Sequence, residues 1–168
     1  ISKLCFKTLE GIARPAIANI IPTKKDFTLL LDMGANLECE PRNFYEFALM
    51  GQAFVSAVCG ISNPTVAILN IGTEEIKGTN LVKNSYALFK EKFSPEVFKG
   101  FEEGDKIMHG NVNVIVTDGF SGNIALKTME GAGKMMGGEL KNLLSSSLLG
   151  KMGYIIAKPV FDAFKERF

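Results

Sequence analysis

Apolar and β-branched residues run almost unbroken through Phe27–Met33, Val66–Ile71 and Val112–Thr117. A strand with one wet face alternates polar and apolar positions. These runs do not, so each predicts a strand buried on both faces of a parallel sheet. Each run stops at a polar loop rich in Gly, Asn and Asp, and a helical pattern follows. Pro41 opens a helix in which Phe44, Phe47, Ala48, Gly51, Phe54, Val55 and Val58 share a face, and Gly60 ends it. Asn80–Lys92 is a second helix with Leu81, Leu88 and Phe89 inward, and Ser121–Leu149 is a third. Strands alternating with helices predict βαβ units with right-handed crossovers, so the loops should converge on one edge of one sheet.

The rest of the pattern is weaker. Arg14-Pro15-Ala16 before Ile17, Ala18, Ile20 and Ile21 suits a short helix that Pro22 stops. Val97–Phe101 has room for a short strand, and Ile1–Glu10 has no clear period. Gly131, Gly133, Gly137 and Gly138 interrupt the third helix, each costing roughly 1 kcal/mol relative to Ala, so they mark close helix packing or a break. Leu148–Ala157 reads as an apolar turn between Lys151 and Lys158, with Pro159 starting a last amphipathic segment. The expected division is an αβα core over 1–138 and a helical hairpin over 139–168.

Composition narrows the class. A chain of 168 residues with 46% hydrophobic content buries a substantial core. Its formal net charge of +1, with both signs interspersed, offers no general surface for nucleic acid. Cys5, Cys39 and Cys59 are odd in number and share no CxxC spacing, which argues against a disulfide framework or a zinc site and for a reducing, cytoplasmic setting. No metal or other cofactor is expected. No apolar run approaches the ~20 residues of a membrane span, and Ile1–Gly11 is not a signal peptide. The chain opens on Ile rather than Met, which reads as an internal start.

Candidate chemistry concentrates in the loops. Asn70, Gly72, Glu74, Lys77 and Gly78 follow the central strand; Asp32, Gly34 and Asn36 follow the first; Asp118, Gly119 and Asn123 follow the last, with Lys127 one turn into the helix. Amides, glycine N–H groups and ammonium groups at helix starts suit an anion. Lys77 precedes Gly78 rather than following it, so the loop is not a P-loop, and Gly131–Gly138 follows no strand and is no dinucleotide fingerprint. Cys39 with His109, the single histidine, would be needed for covalent acyl transfer; both read better as a small hydrophobe and a surface group.

The runs Leu31–Asn36 (LDMGAN), Phe47–Gly51, Leu69–Glu75 with Lys77-Gly78, and Asp118–Asn123 with Leu126-Lys127-Thr128 occur together, in order. With Arg14-Pro15-Ala16, they make the chain resemble the bacterial phosphate acyltransferase (PlsX) family over nearly its whole length. The resemblance implies a Rossmann-like αβα sandwich with a mostly parallel sheet, akin to phosphate acetyltransferases and isopropylmalate dehydrogenases, with a C-terminal helical hairpin. It implies transfer of a fatty acyl group from acyl carrier protein to inorganic phosphate for phospholipid synthesis, and a homodimer. Thr73 stands where the family often has Glu. The motifs of the family's N-terminal half and C-terminal end are not in these residues, so the chain is expected to be an internal piece, roughly the second half.

On this reading Lys77, Asn123, Lys127 and Asp118 carry the chemistry. Asp32, Gly34, Asn36, Asn70, Gly72, Glu74, Gly78 and Gly119 hold phosphate or orient the groups that do. The other classes of function open to these loops are a non-catalytic module that binds a phosphorylated metabolite and, disfavoured by the missing dinucleotide fingerprint, an oxidoreductase related by fold. The apolar stretch Leu148–Ala157 with its flanking lysines suits either an anionic membrane surface or the dimer partner.

Overall fold

The computed structural model describes residues 11–167, with side chains to Phe164. Ile1–Glu10 therefore lie outside the described residues. The chain divides into two compact units, one up to Ala125 and one from Leu126.

The first unit is built on a five-stranded sheet in the order β1-β2-β5-β3-β4. Its strands are β1 (Ala18–Pro22), β2 (Phe27–Leu31), β3 (Val66–Asn70), β4 (Phe98–Glu103) and β5 (Val114–Val116). β2, β5, β3 and β4 are parallel, with Leu30 beside Ile115 and Ala67 also beside Ile115. The apolar runs are buried on both faces as their lack of alternation predicts: Leu29, Val114 and Val66 on one side and Leu30, Ile115 and Ala67 on the other are at most 1% exposed.

Helices α1 (Pro41–Cys59) and α2 (Asn80–Lys92) close one core with the sheet, through Phe44, Phe47, Ala48, Val55, Val82 and Phe89. Pro41 sits in the first turn of α1, where its missing N–H is no loss, and Gly60 ends the helix in the left-handed region at φ 72°. Gly51 lets α1 lie close on the sheet: a Cβ there would stand 2.6 Å from Val114 Cγ1 and 3.0 Å from Leu31 Cδ1. Thr79 caps α2 by accepting from Val82 N at 3.3 Å.

Several expectations are corrected. The short helix expected before Pro22 is strand β1, antiparallel to β2 with Ala18 beside Leu31 and Pro22 beside Phe27. Pairing along an open sheet edge outweighs the weak helical spacing of a segment rich in isoleucine. Phe54 and Val58 fall off the buried face of α1 and are exposed, while Val82 and Ser85, rather than Leu81 and Leu88, are the most buried positions of α2 beside Phe89. The strand expected at Val97–Phe101 is β4, which runs on to Glu103 and into a 3-10 turn, Gly104–His109.

Helix α3 (Gly119–Ser145) continues from the first unit into the second unbroken, and its four mid-helix glycines face open space. The apolar turn expected at Leu148–Ala157 is instead part of α4 (Leu148–Arg167), with Pro159 inside the helix. The punctuation lies just before it: Ser147 Oγ accepts from Gly150 N at 3.0 Å and Ser147 O from Lys151 N at 3.0 Å. That serine cap starts a helix that Gly150 and Gly153 would otherwise discourage.

Candidate functional site

Because β2, β5 and β3 are parallel neighbours, Leu31, Val116 and Asn70 end at one edge of the sheet, and their following loops meet there. β1 runs the other way, so its beginning reaches the same edge and brings residues 11–17 with it.

Asp32, fully buried, organises the first loop. Its Oδ1 accepts from Ile17 N at 2.9 Å and Ala35 N at 3.1 Å; its Oδ2 accepts from Asn36 N and Asn36 Nδ2, both at 2.7 Å. Asn36 Nδ2 also donates to Pro15 O at 2.8 Å. A buried carboxylate satisfied by N–H donors in this way is a structural knot whose oxygens are already taken. Asp32 and Asn36 therefore position the loop, and their polar atoms face inward.

The β5–α3 loop docks directly on that knot. Gly119 N donates to Asn36 O at 2.8 Å, and a Cβ at Gly119 would sit 2.8 Å from the same oxygen. A Cβ at Gly122 would run into Asp32 O. Only glycine allows backbones to approach this closely. Asp118 caps α3, its Oδ1 accepting from Ser121 N at 2.8 Å and its Oδ2 from Ser121 Oγ at 3.0 Å. Asn123 is exposed one turn on, and its side chain lies over Gly34, where a Cβ would meet Asn123 Nδ2 at 3.1 Å. Gly34 has φ 126°, a conformation that other residues rarely adopt.

The β3–α2 loop is wound around Asn70, whose Nδ2 donates to Gly72 O at 3.0 Å and Lys77 O at 3.2 Å. Gly78 has φ 92°, and a Cβ added there would run into Asn70 Oδ1. Lys77 is half-exposed and its Nζ lies 2.9 Å from Glu74 Oε1, which holds the Glu74 carboxyl below its ordinary range. Glu75 folds back along α2, accepting from Tyr86 Oη at 2.8 Å and Lys90 Nζ at 3.3 Å.

Thus Asp32, Gly34, Asn36, Asp118, Gly119 and Asn123 form one interlocked group, while Asn70, Gly72, Glu74, Lys77 and Gly78 form a self-contained loop on the same sheet edge. Lys127 lies in the second unit, with its Nζ 2.9 Å from Glu130 Oε2. Sequence reasoning gave no role to Ser121 and Gly122, nor to Arg14, whose Nη1 donates to Glu38 O at 2.9 Å. The Asp-x-x-Ser spacing of a cap and the paired glycines three apart were the available signals for the first two.

Cys39 is half-buried, with Sγ 3.5 Å from Asn36 O. Burial first, then the nearby Asp118 and Asp32 charges, push its thiol up to about 11. A thiol held protonated in this way is a poor nucleophile. The arrangement instead offers an anion the Asn123 amide and the cations of the loops, since the first N–H groups of α3 are taken by Asn36 O and Asp118.

Comparison with known proteins fits this frame. The family described as "Fatty acid synthesis protein" matches residues 1–168. Phosphate acyltransferases of Granulibacter bethesdensis and Paramagnetospirillum magneticum are 43% and 46% identical to the chain, over 99% of it in each case and over 45% and 48% of their own lengths. The chain thus spans about half the length of the curated relatives it matches. Among solved structures, EutD phosphotransacetylase from Staphylococcus aureus superposes with a TM-score of 0.60 at 19% identity, covering 82% of this chain and 46% of that one. A phosphotransacetylase from Streptococcus pyogenes gives 0.57 at 19% identity, with 76% and 44% covered. At such identities the likeness is one of fold: α/β, with a mostly parallel sheet. The sequence match, running the full length of the chain, carries the assignment that this protein belongs to the fatty acid synthesis protein family.

Proposed function

We propose that this chain supplies one part of the active site of an acyltransferase that moves a fatty acyl group from acyl carrier protein to inorganic phosphate, giving acyl phosphate for phospholipid synthesis. The observation that carries the reading is the docking of the β2–α1 loop on the start of α3, which leaves the Asn123 amide without a hydrogen bond among the described residues and exposed above Gly34. The phosphate acyltransferases that share this sequence support the choice of reaction.

Phosphate is itself a nucleophile. One of its oxygens attacks the thioester carbonyl, an O–C bond forms, and the tetrahedral oxyanion collapses with cleavage of the C–S bond; the carrier leaves as a thiolate that takes up a proton. No acyl-enzyme is needed, and a thiol held protonated at Cys39 does not compete for the acyl group. The protein's task is to hold phosphate in line and to donate hydrogen bonds to the developing oxyanion. Asn123 is assigned as such a donor and Lys77 as a charge partner that exchanges Glu74 for phosphate; Lys127 is included on its sequence motif alone.

The test uses full-length protein. Acyl carrier thioester and phosphate are supplied, and acyl phosphate is trapped with hydroxylamine. Phosphate-dependent hydroxamate is expected; phosphate binding without hydroxamate would leave only a binding module. Asn123→Ala is expected to fold normally and to lose on the order of 10²-fold in kcat. Turnover at the wild-type rate would remove Asn123 from the site.

The second unit prompts a further part of the proposal. Leu149, Met152, Ile155 and Ile156 are exposed along α4 beside Lys151 and Lys158, while no helix among the described residues is long and apolar enough to cross a membrane. We assign this face to shallow contact with an anionic membrane surface, in a protein that pairs as a dimer. Leu149→Glu and Ile155→Glu in the full-length protein should abolish flotation with anionic liposomes. If both float like wild type while sedimentation shows dimer loss, α4 belongs to the subunit interface instead.

A further inference from the structure

The cations near the loop edge of the sheet are mostly spoken for. Lys77 pairs with Glu74 at 2.9 Å, Lys106 with Glu103 at 2.7 Å, and Arg42 with Glu46 at 2.8 Å. Arg14 differs: among the described residues it has no carboxylate within ion-pair distance, and its side chain makes one hydrogen bond, from Nη1 to Glu38 O. A guanidinium carries five N–H donors, so most of its fork is unspent.

The backbone on both sides of Arg14 is held. Ala13 N donates to Glu46 Oε2 at 2.8 Å, Asn36 Nδ2 donates to Pro15 O at 2.8 Å, Ile17 N donates to Asp32 Oδ1 at 2.9 Å, and Met33 N donates to Ile17 O at 3.0 Å. Pro15 restricts Arg14 to extended backbone. The residue is therefore a fixed arm with its head group tied to Glu38.

Its location follows from the same bonds. Glu38 adjoins Cys39, whose Sγ is 3.5 Å from Asn36 O, and that carbonyl also receives Gly119 N at the start of α3. The guanidinium lies close enough to Cys39 to oppose, through its charge, the upward push of Asp118 and Asp32 on the thiol. Both carboxylates have their oxygens engaged, Asp118 by Ser121 and Asp32 by the donors of its own loop and Ile17. A pre-positioned guanidinium with no carboxylate partner among the described residues thus belongs to the same loop cluster as the start of α3, whose Gly119, Ser121 and Gly122 N–H groups are already engaged.

We propose that Arg14 is the principal cationic ligand of the phosphate substrate, gripping two phosphate oxygens with its free N–H groups while Glu38 O fixes its orientation. This rests on the proposed phosphate acyltransferase reading and deepens it. A planar fork matches two oxygens of a tetrahedral anion better than an ammonium does, and Arg14 need not break an ion pair to bind, as Lys77 must.

The experiment measures binding of inorganic phosphate to the full-length protein by calorimetry, with the phosphate KM and the phosphate-free melting temperature, for wild type, Arg14→Ala, Arg14→Gln and Arg14→Lys. Arg14→Ala and Arg14→Gln should weaken phosphate binding and raise its KM about 10- to 100-fold, with the KM for the acyl carrier thioester and the melting temperature unchanged. Arg14→Lys should recover part of the loss. Phosphate binding in wild type without acyl transfer would overturn the reaction assignment and leave the Arg14 site supported. The site itself is overturned if wild type does not bind phosphate, or if the Ala and Gln variants bind it as wild type does. It is also overturned if binding falls only where the melting temperature falls and Lys restores nothing.

Discussion

Replacing Gly122 by Ala is expected to destabilise the protein by more than about 3 kcal/mol, although alanine is the better helix former by ~1 kcal/mol. The sign is decided by space. Gly122 lies in the first turn of α3, and an added Cβ would run into Asp32 O while standing 2.9 Å from Thr117 Cγ2 and 3.0 Å from Asp32 C. The obstacle is backbone at the end of β2, pinned by Asp32 N donating to Thr117 O at 3.1 Å and Thr117 N to Leu31 O at 2.6 Å. It cannot turn aside as a flexible side chain would. Gly133→Ala is the control: nothing lies within 4 Å of its added Cβ, so the same change there should be neutral or gain up to about 1 kcal/mol. Urea unfolding of both variants in the full-length protein checks the contrast. Equal stability of Gly122→Ala and wild type would mean that the two loops are not in backbone contact.

Asp32→Ala should cost about 4 kcal/mol or more, since each buried donor left without a partner costs ~1–3 kcal/mol. Three backbone N–H groups, of Ile17, Ala35 and Asn36, and the Asn36 amide all lose their acceptor together. Asp32→Asn is the more telling variant. It keeps the volume and Oδ1 but aims an NH2 group at donors, so it should recover less than half of the loss. The expected signature in hydrogen exchange is local: the amides of Ala35 and Asn36 exchange faster in both variants, while those of β3 follow the global stability. A cost under 1 kcal/mol for Asp32→Ala would show that water substitutes for the carboxylate and that the knot does not hold the loops.

These two positions also show what was legible in the sequence. The unbroken apolar runs gave the buried strands, because a sheet covered on both faces removes the selection for alternation, and the helix starts at Pro41 and Asn80 were readable from local chemistry alone. The clustering of Asp32, Gly34, Asn36, Asp118, Gly119 and Asn123 followed from strand order. Their division of labour did not. Asp32 and Asn36 read as ligand groups, yet their hydrogen bonds point inward to residues as far off as Pro15 and Ile17. Nothing in a short motif tells a carboxylate that meets substrate from one that ties down a loop; the partners are remote in sequence. β1 was misread for the same reason, since its helical spacing is local and its pairing with β2 is not. Arg14 was visible only as part of a motif, and its lack of a carboxylate partner among the described residues emerged only from the three-dimensional arrangement.

The reversed direction of β1 has an engineering consequence. A parallel strand offers a ligand only the chain that follows it, whereas β1 offers the chain that precedes it and sends its own hairpin, Thr23–Asp26, to the far edge of the sheet. That hairpin is closed by Thr23 N to Asp26 O at 3.0 Å and Asp26 N to Thr23 Oγ1 at 3.1 Å, with Lys24 and Lys25 at its tip. A fluorophore or affinity tag grafted at Lys25 would report on the protein from the side remote from the candidate site. One extra residue between Gly11 and Ala18 would shift the reach of Arg14 and leave every strand in register.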